Sequence, residues 1–100
     1  MTKLTLDSYV VETLMRDLVQ HEKRPSAFVV YVHLWSKTQG AARPARLSHL
    51  KISDATGLSK SSVQSAIKML LRRKLIRSHR STSTAVPEYT VLRPWAKSEA

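Results

Sequence analysis

Two serines eleven positions apart, Ser48 and Ser59, each stand immediately before an amphipathic run, with Gly57 between the two runs. A serine so placed accepts a hydrogen bond from an early helix N–H that has no partner inside the helix. Each serine follows a leucine (Leu47, Leu58), and an aliphatic residue stands five positions beyond that leucine (Ile52, Val63), which is the spacing of a hydrophobic staple. Gly57 takes positive φ without steric cost and so ends the first run. The stretch Ser48 to Arg73 is therefore two helices in close succession, the first about two turns long. So short a pair needs the rest of the chain to supply its core.

At 100° per residue the second helix places Val63, Ala66, Ile67, Leu70 and Leu71 on one side, which is its core face. Ser61, Gln64, Ser65, Lys68 and Arg72 fall largely on the other side. That outer face holds hydroxyls, one amide and cations but no carboxylate, an inventory suited to phosphate oxygens and base edges. An ordinary solvated face is the alternative for any isolated amphipathic helix.

Charge distribution weighs against that alternative. Residues 1–36 hold four cations and four acids, and residues 81–100 hold two of each. The whole net charge of +10 lies between 37 and 80, where eleven lysines and arginines face only Asp54. A basic field confined to one part of a small domain is the footprint of a polyanionic partner, and solubility alone does not require it. Cysteine is absent, which removes disulfides, thiolate catalysis and cysteine-ligated zinc and suits a reducing compartment. The N-terminal residues lack the apolar run of a secretory signal, and no stretch reaches membrane-spanning length without charges. These features predict a soluble cytoplasmic protein.

The 100 residues suit a single domain, with a helical part over 6–40, the helix pair and a hairpin over 43–93, and a frayed tail over 94–100. Residues 6–21 predict a helix capped by Asp7 or Ser8. Its apolar residues cover more than half the circumference, wider than one core contact requires. The excess predicts a second partner, either the rest of the chain's own core or the same helix of another subunit, and Val10, Val11, Leu14, Met15 and Leu18 are the candidate homodimer interface. Proline is favoured in a helix's first turn, so the next element begins near Pro25. The run Ala27 to Trp35 fits a buried helix or a buried strand by periodicity. The proline start and the stop at Gly40 favour one long central helix. Arg46-Leu47 fits a short strand. Leu75 to Arg80 and Glu88 to Leu92 read as the arms of a β-hairpin with the polar tip STSTAV between them. The fold class is mainly α with a small β-hairpin.

This order of elements resembles the winged helix-turn-helix domain of bacterial, phage and plasmid DNA-binding proteins, particularly the MarR-like and replication-initiator-like branches. The likeness rests on ISDATGLSKSSVQSAIKMLLRRKLI: a small residue four before the turn glycine (Ser53), Gly57 itself, Leu58, the buried Val63, and Arg72 to Ile76 leading into a wing. The family more often has alanine where Ser53 stands, and Ser53 needs a hydrogen-bond partner if it is buried. The resemblance implies that helix 60–73 enters the major groove of duplex DNA, with Ser59, Lys60, Ser61, Ser62, Gln64, Ser65 and Lys68 approaching it. Gln64 can pair with adenine and Lys68 can donate to guanine. It further implies that Arg72, Arg73, Lys74 and Arg77 neutralise the backbone, and that Arg80 reaches the minor groove from the wing.

Enzymatic chemistry is not expected. His21, His33, His49 and His79 have neither metal-ligand spacing nor a neighbouring carboxylate pair, and His33 reads as a hydrogen-bonded core residue. No cofactor, metal or small-molecule ligand is indicated. The expected activity is sequence-specific DNA binding by a homodimeric transcriptional repressor. The alternatives are a plasmid or phage replication or partition factor, and a winged helix turned to RNA or protein binding.

Overall fold

Residues 3–96 are described by the computed structural model. Four helices and a three-stranded antiparallel sheet enclose one apolar core. In chain order the helices are α1 (residues 8–21), α2 (Pro25–Lys37), α3 (His49–Thr56) and α4 (Lys60–Arg72). Strand β1 (Ala45–Arg46) precedes α3, and β2 (Ile76–His79) and β3 (Glu88–Val91) follow α4. No described helix is long and apolar enough to cross a membrane.

The run Ala27 to Trp35 is helical, and α2 is the central element. It packs on α1, α3, α4 and β3 and buries Ala27, Val30, Tyr31, Leu34 and Trp35. Pro25 occupies its first turn as expected. The stop comes before Gly40: Gln39, Gly40 and Ala41 are all left-handed, with φ of 54°, 70° and 69°. Buried Thr38 makes this possible, since its hydroxyl donates to the Trp35 carbonyl (3.2 Å) and accepts from the Ala41 N–H (3.2 Å). The turn is thus fixed by a threonine with both roles satisfied, and Gly40 supplies one of three left-handed residues.

Helix α1 departs from regular winding. It contains two π turns, Val10–Leu14 and Asp17–His21, closed by i→i+5 hydrogen bonds from the Met15 N–H to Val10 and from the Glu22 N–H to Asp17. Residues four apart drift by about 40° per step on an α-helix, and wider π turns remove that drift. Val10, Leu14 and Leu18 consequently form one straight buried row. Val11, Met15 and Val19 form a parallel row that stays exposed. Neither Asp7 nor Ser8 caps α1 with its side chain: the Asp7 carboxylate accepts from Arg93 Nε (2.8 Å) and Trp95 Nε1 (3.0 Å) instead. Trp95 also stacks on Tyr9 with ring centroids 4.6 Å apart. Trp95 of the expected frayed tail is therefore docked on the start of the chain, and 97–100 lie outside the described residues.

The sheet order is β1-β3-β2, with Ala45 opposite Tyr89, Ile76 opposite Val91 and Arg77 opposite Thr90. Central β3 turns Tyr89 and Val91 into the core, whereas β2 buries only Ile76 and exposes Arg77, Ser78 and His79. The hairpin is anchored at its base, and its outer arm is solvated and basic.

Candidate nucleic-acid interface

The helix pair forms as its sequence dictates. Ser48 Oγ accepts from the Lys51 N–H and Ser59 Oγ from the Ser62 N–H, each at 3.1 Å. Gly57 is left-handed at φ 80° and nothing lies within 4 Å of where a Cβ would stand. Glycine is needed there for its backbone conformation alone. Ser53, at the position where alanine is more usual, donates its hydroxyl to the Leu58 carbonyl at 2.6 Å. That bond ties the end of α3 to the turn and satisfies the half-buried oxygen.

Helix α4 buries Val63, Ala66, Ile67, Met69 and Leu70, while Leu71 stays exposed at the edge of the core face. Lys60, Ser61, Gln64, Ser65, Lys68 and Arg72 are all exposed. They make a continuous stripe without a carboxylate, and among the described residues no ion pair engages its cations. Ser59 and Ser62 are committed to the helix start, with 3.0 Å between their hydroxyls and Ser62 partly buried. The Ser61 hydroxyl also lies 3.2 Å from that of Ser59, so Ser65 carries the hydroxyl of the face that has no side-chain hydrogen bond among the described residues.

Arg77 is exposed on β2, and Arg80 begins the hairpin tip, where it donates to the Ser83 carbonyl at 3.3 Å. Arg80 also lines an open cleft of about 300 Å³ with His49, Leu50, Lys60 and Val86. Burial holds the His49 pKa below its ordinary value, and the positive charges of Arg80 and Lys60 add to that effect. Two cations, Lys60 of α4 and Arg80 of the hairpin, thus meet His49 of α3 at one end of the α4 stripe. A second cleft shares Ser48 and Val86 and adds Arg46 and Lys51. The sequence reading missed His49, Arg46 and Lys51. Their signal was the position of His49 and Lys51 in the first turn of α3, beside the strand that carries Arg46.

No family model, curated protein or solved structure matches this chain. The site therefore rests on its own geometry.

Three expected residue sets are placed differently in the free chain. Arg73, expected on the DNA backbone with Arg72, is paired within the chain: its Nη2 lies 2.6 Å from Asp17 Oδ2 and its Nη1 3.0 Å from Glu22 Oε2. Of the α1 residues expected either in the chain's own core or at a subunit interface, Val10, Leu14 and Leu18 pack in the core, leaving only Val11 and Met15 of that set exposed. His33 is half-buried, and its Nε2 has no hydrogen-bond partner among the described residues. It stands at an open cleft of about 470 Å³ between α2 and α3, with Lys37, Lys51 and Asp54. Burial first, and then the charge of Lys37, lowers its pKa.

Proposed function

We propose that this chain is a winged helix-turn-helix domain that binds duplex DNA sequence-specifically and acts as a cytoplasmic transcriptional repressor. In this reading α4 lies in the major groove and the β2–β3 hairpin is the wing. The observation that carries it is the outer stripe of α4, which is exposed, free of carboxylates and embedded in the segment holding the whole net charge. Gln64, with a paired donor and acceptor, reads adenine, and Lys68 donates to guanine O6 or N7. Ser61, Ser65, Lys60, Arg72 and Arg77 position the backbone, and Arg80 serves where the wing meets the cleft. Duplex RNA fits poorly, because its deep, narrow major groove does not admit a helix.

Homodimerisation belongs to the same proposal, now through the exposed row Val11, Met15 and Val19. A two-fold dimer doubles the half-site and so raises specificity. Selection of bound sites from a random duplex pool tests function and symmetry together, and the expected product is a palindromic motif. Log affinity should fall with log salt by roughly 0.9 per phosphate neutralised. Salt-independent binding, or equal affinity for duplex RNA of the same sequence, would overturn the reading.

A further inference from the structure

The one arginine of the Arg72-Arg73-Lys74 run that leaves the basic face is held by a purpose-fitted acceptor. Asp17 and Glu22 are five residues apart, and on an α-helix that spacing separates side chains by about 140°. A π turn closes its hydrogen bond between residues i and i+5 and so brings those two positions to one side. The bond that closes this turn runs from the Glu22 N–H to the Asp17 carbonyl at 2.9 Å. Both carboxylates then reach one guanidinium, at 2.6 and 3.0 Å. The π winding of α1 and the grip on Arg73 are two aspects of one arrangement.

That arrangement is reachable by solvent. The side chains of Arg73, Asp17 and Glu22 remain 31%, 30% and 31% exposed, so a competing anion meets no buried barrier. Arg73 is the C-cap of α4 and adjoins exposed Arg72 and Lys74. A guanidinium fork fits phosphate as well as it fits carboxylate. Phosphate brought alongside Arg72 and Lys74 is thus a direct rival for the Arg73 fork.

We propose that Arg73 is a DNA-backbone contact held in reserve, gripped by Asp17 and Glu22 in the free protein and handed to a phosphate when duplex DNA seats on α4. The inference rests on the DNA-binding reading and specifies how that face is regulated. Winding of α1 and occupancy of α4 are then coupled: whatever tightens the Asp17–Glu22 grip weakens DNA binding, and DNA loosens the π turn.

The test uses the full chain and a random-sequence duplex, comparing wild type, Arg73→Gln, Asp17→Asn/Glu22→Gln and the triple variant across a salt series. Arg73→Gln should make the salt slope shallower by about 0.9, the value of one lost phosphate contact. Removing the two carboxylates should raise affinity several-fold more with Arg73 intact than in the Arg73→Gln background, which reports only the general gain of positive charge. An unchanged slope in Arg73→Gln, or equal gains in both backgrounds, overturns the proposal while leaving DNA binding intact. No binding by wild type overturns the functional reading itself. Should Arg73→Gln fail to fold, Arg73→Lys keeps the charge but loses the fork: the slope should then stay at its wild-type value while the carboxylate-dependent gain shrinks, and an undiminished gain counts against the proposal.

Discussion

Helices α1 and α4 are both amphipathic and both bury an aliphatic row against α2, yet they treat their outward faces in opposite ways. Helix α4 keeps regular α winding, and its outer cations have no intramolecular partner among the described residues. Helix α1 is π-wound; its acids Asp17 and Glu22 are engaged with Arg73, and its exposed row is apolar. One helix leaves its cations without an intramolecular partner, whereas the other commits Asp17, with Glu22 just past its end, to an ion pair within the chain and keeps Glu12 and Arg16 exposed. The difference sets the proposed recognition surface apart from the scaffold, and each half of the contrast can be broken separately.

The largest effect is expected in the scaffold. Leu18 is fully buried, and Leu18→Ala should cost about 2–5 kcal/mol through lost transfer energy and the cavity left behind. Against a total stability of about 5–15 kcal/mol for a domain, this is a large share. Val19→Ala, one position along on the exposed row, should change stability by less than about 0.5 kcal/mol. Urea unfolding of the two variants decides the matter. Equal, small losses would mean that α1 does not pack as the buried-row geometry requires.

Next in size comes the proposed recognition face. Gln64→Ala or Lys68→Ala should cost about 1–3 kcal/mol at one base position of the selected site and little on random DNA. Neither should shift the urea midpoint, because both side chains are exposed. A loss of equal size on random duplex would assign these residues to phosphate and remove base reading from the α4 stripe.

The contrast between the helices also explains what could be read without coordinates. For α3 and α4 the determinants are local: Ser48, Gly57 and Ser59 each act within five residues, and 3.6-residue periodicity sorts Val63 from Gln64. Ser53 needed a partner, and its partner, the Leu58 carbonyl, lies five residues away. For α1 the periodicity predicts the helix but not its two π turns, and the second of these brings together residues that meet a distant partner. Arg73 stands 56 residues from Asp17, and only their meeting shows that the acids are five apart for a reason. The apolar arc of α1 is wide in the structure as well, but it divides into a buried row of Val10, Leu14 and Leu18 and an exposed row of Val11, Met15 and Val19. Likewise Asp7 reads locally as a cap and is in fact claimed by Arg93 and Trp95, 86 and 88 residues on.

A smaller effect concerns the exposed row. Val11→Glu with Met15→Glu should convert a dimer to a monomer at unchanged fold, read by sedimentation velocity alongside circular dichroism. A monomeric wild type would remove the subunit role from α1 and leave its exposed row as surface.

The smallest expected effects distinguish two histidines, His33 on α2 and His49 at the start of α3. His33 has a pKa lowered by burial and then by Lys37. Above about pH 6.5, the ordinary histidine value, folded and unfolded states are both neutral there and His33 contributes no pH dependence. As pH falls below that value the unfolded chain takes up protons that the folded chain resists, so stability declines until the depressed folded pKa is passed, and then levels. His33→Gln should flatten part of this acid limb in unfolding experiments. His49 is lowered by burial, Arg80 and Lys60, and it adds to the same limb in the free protein. In the proposed complex it differs, because a phosphate entering its cleft favours the imidazolium and raises the pKa. DNA affinity should therefore rise as pH falls from about 7.5 toward 6, and His49→Gln should abolish the rise while His33→Gln leaves it in place. If His33→Gln removed it instead, the polyanion would lie against the cleft between α2 and α3, and the scaffold and recognition assignments would exchange places.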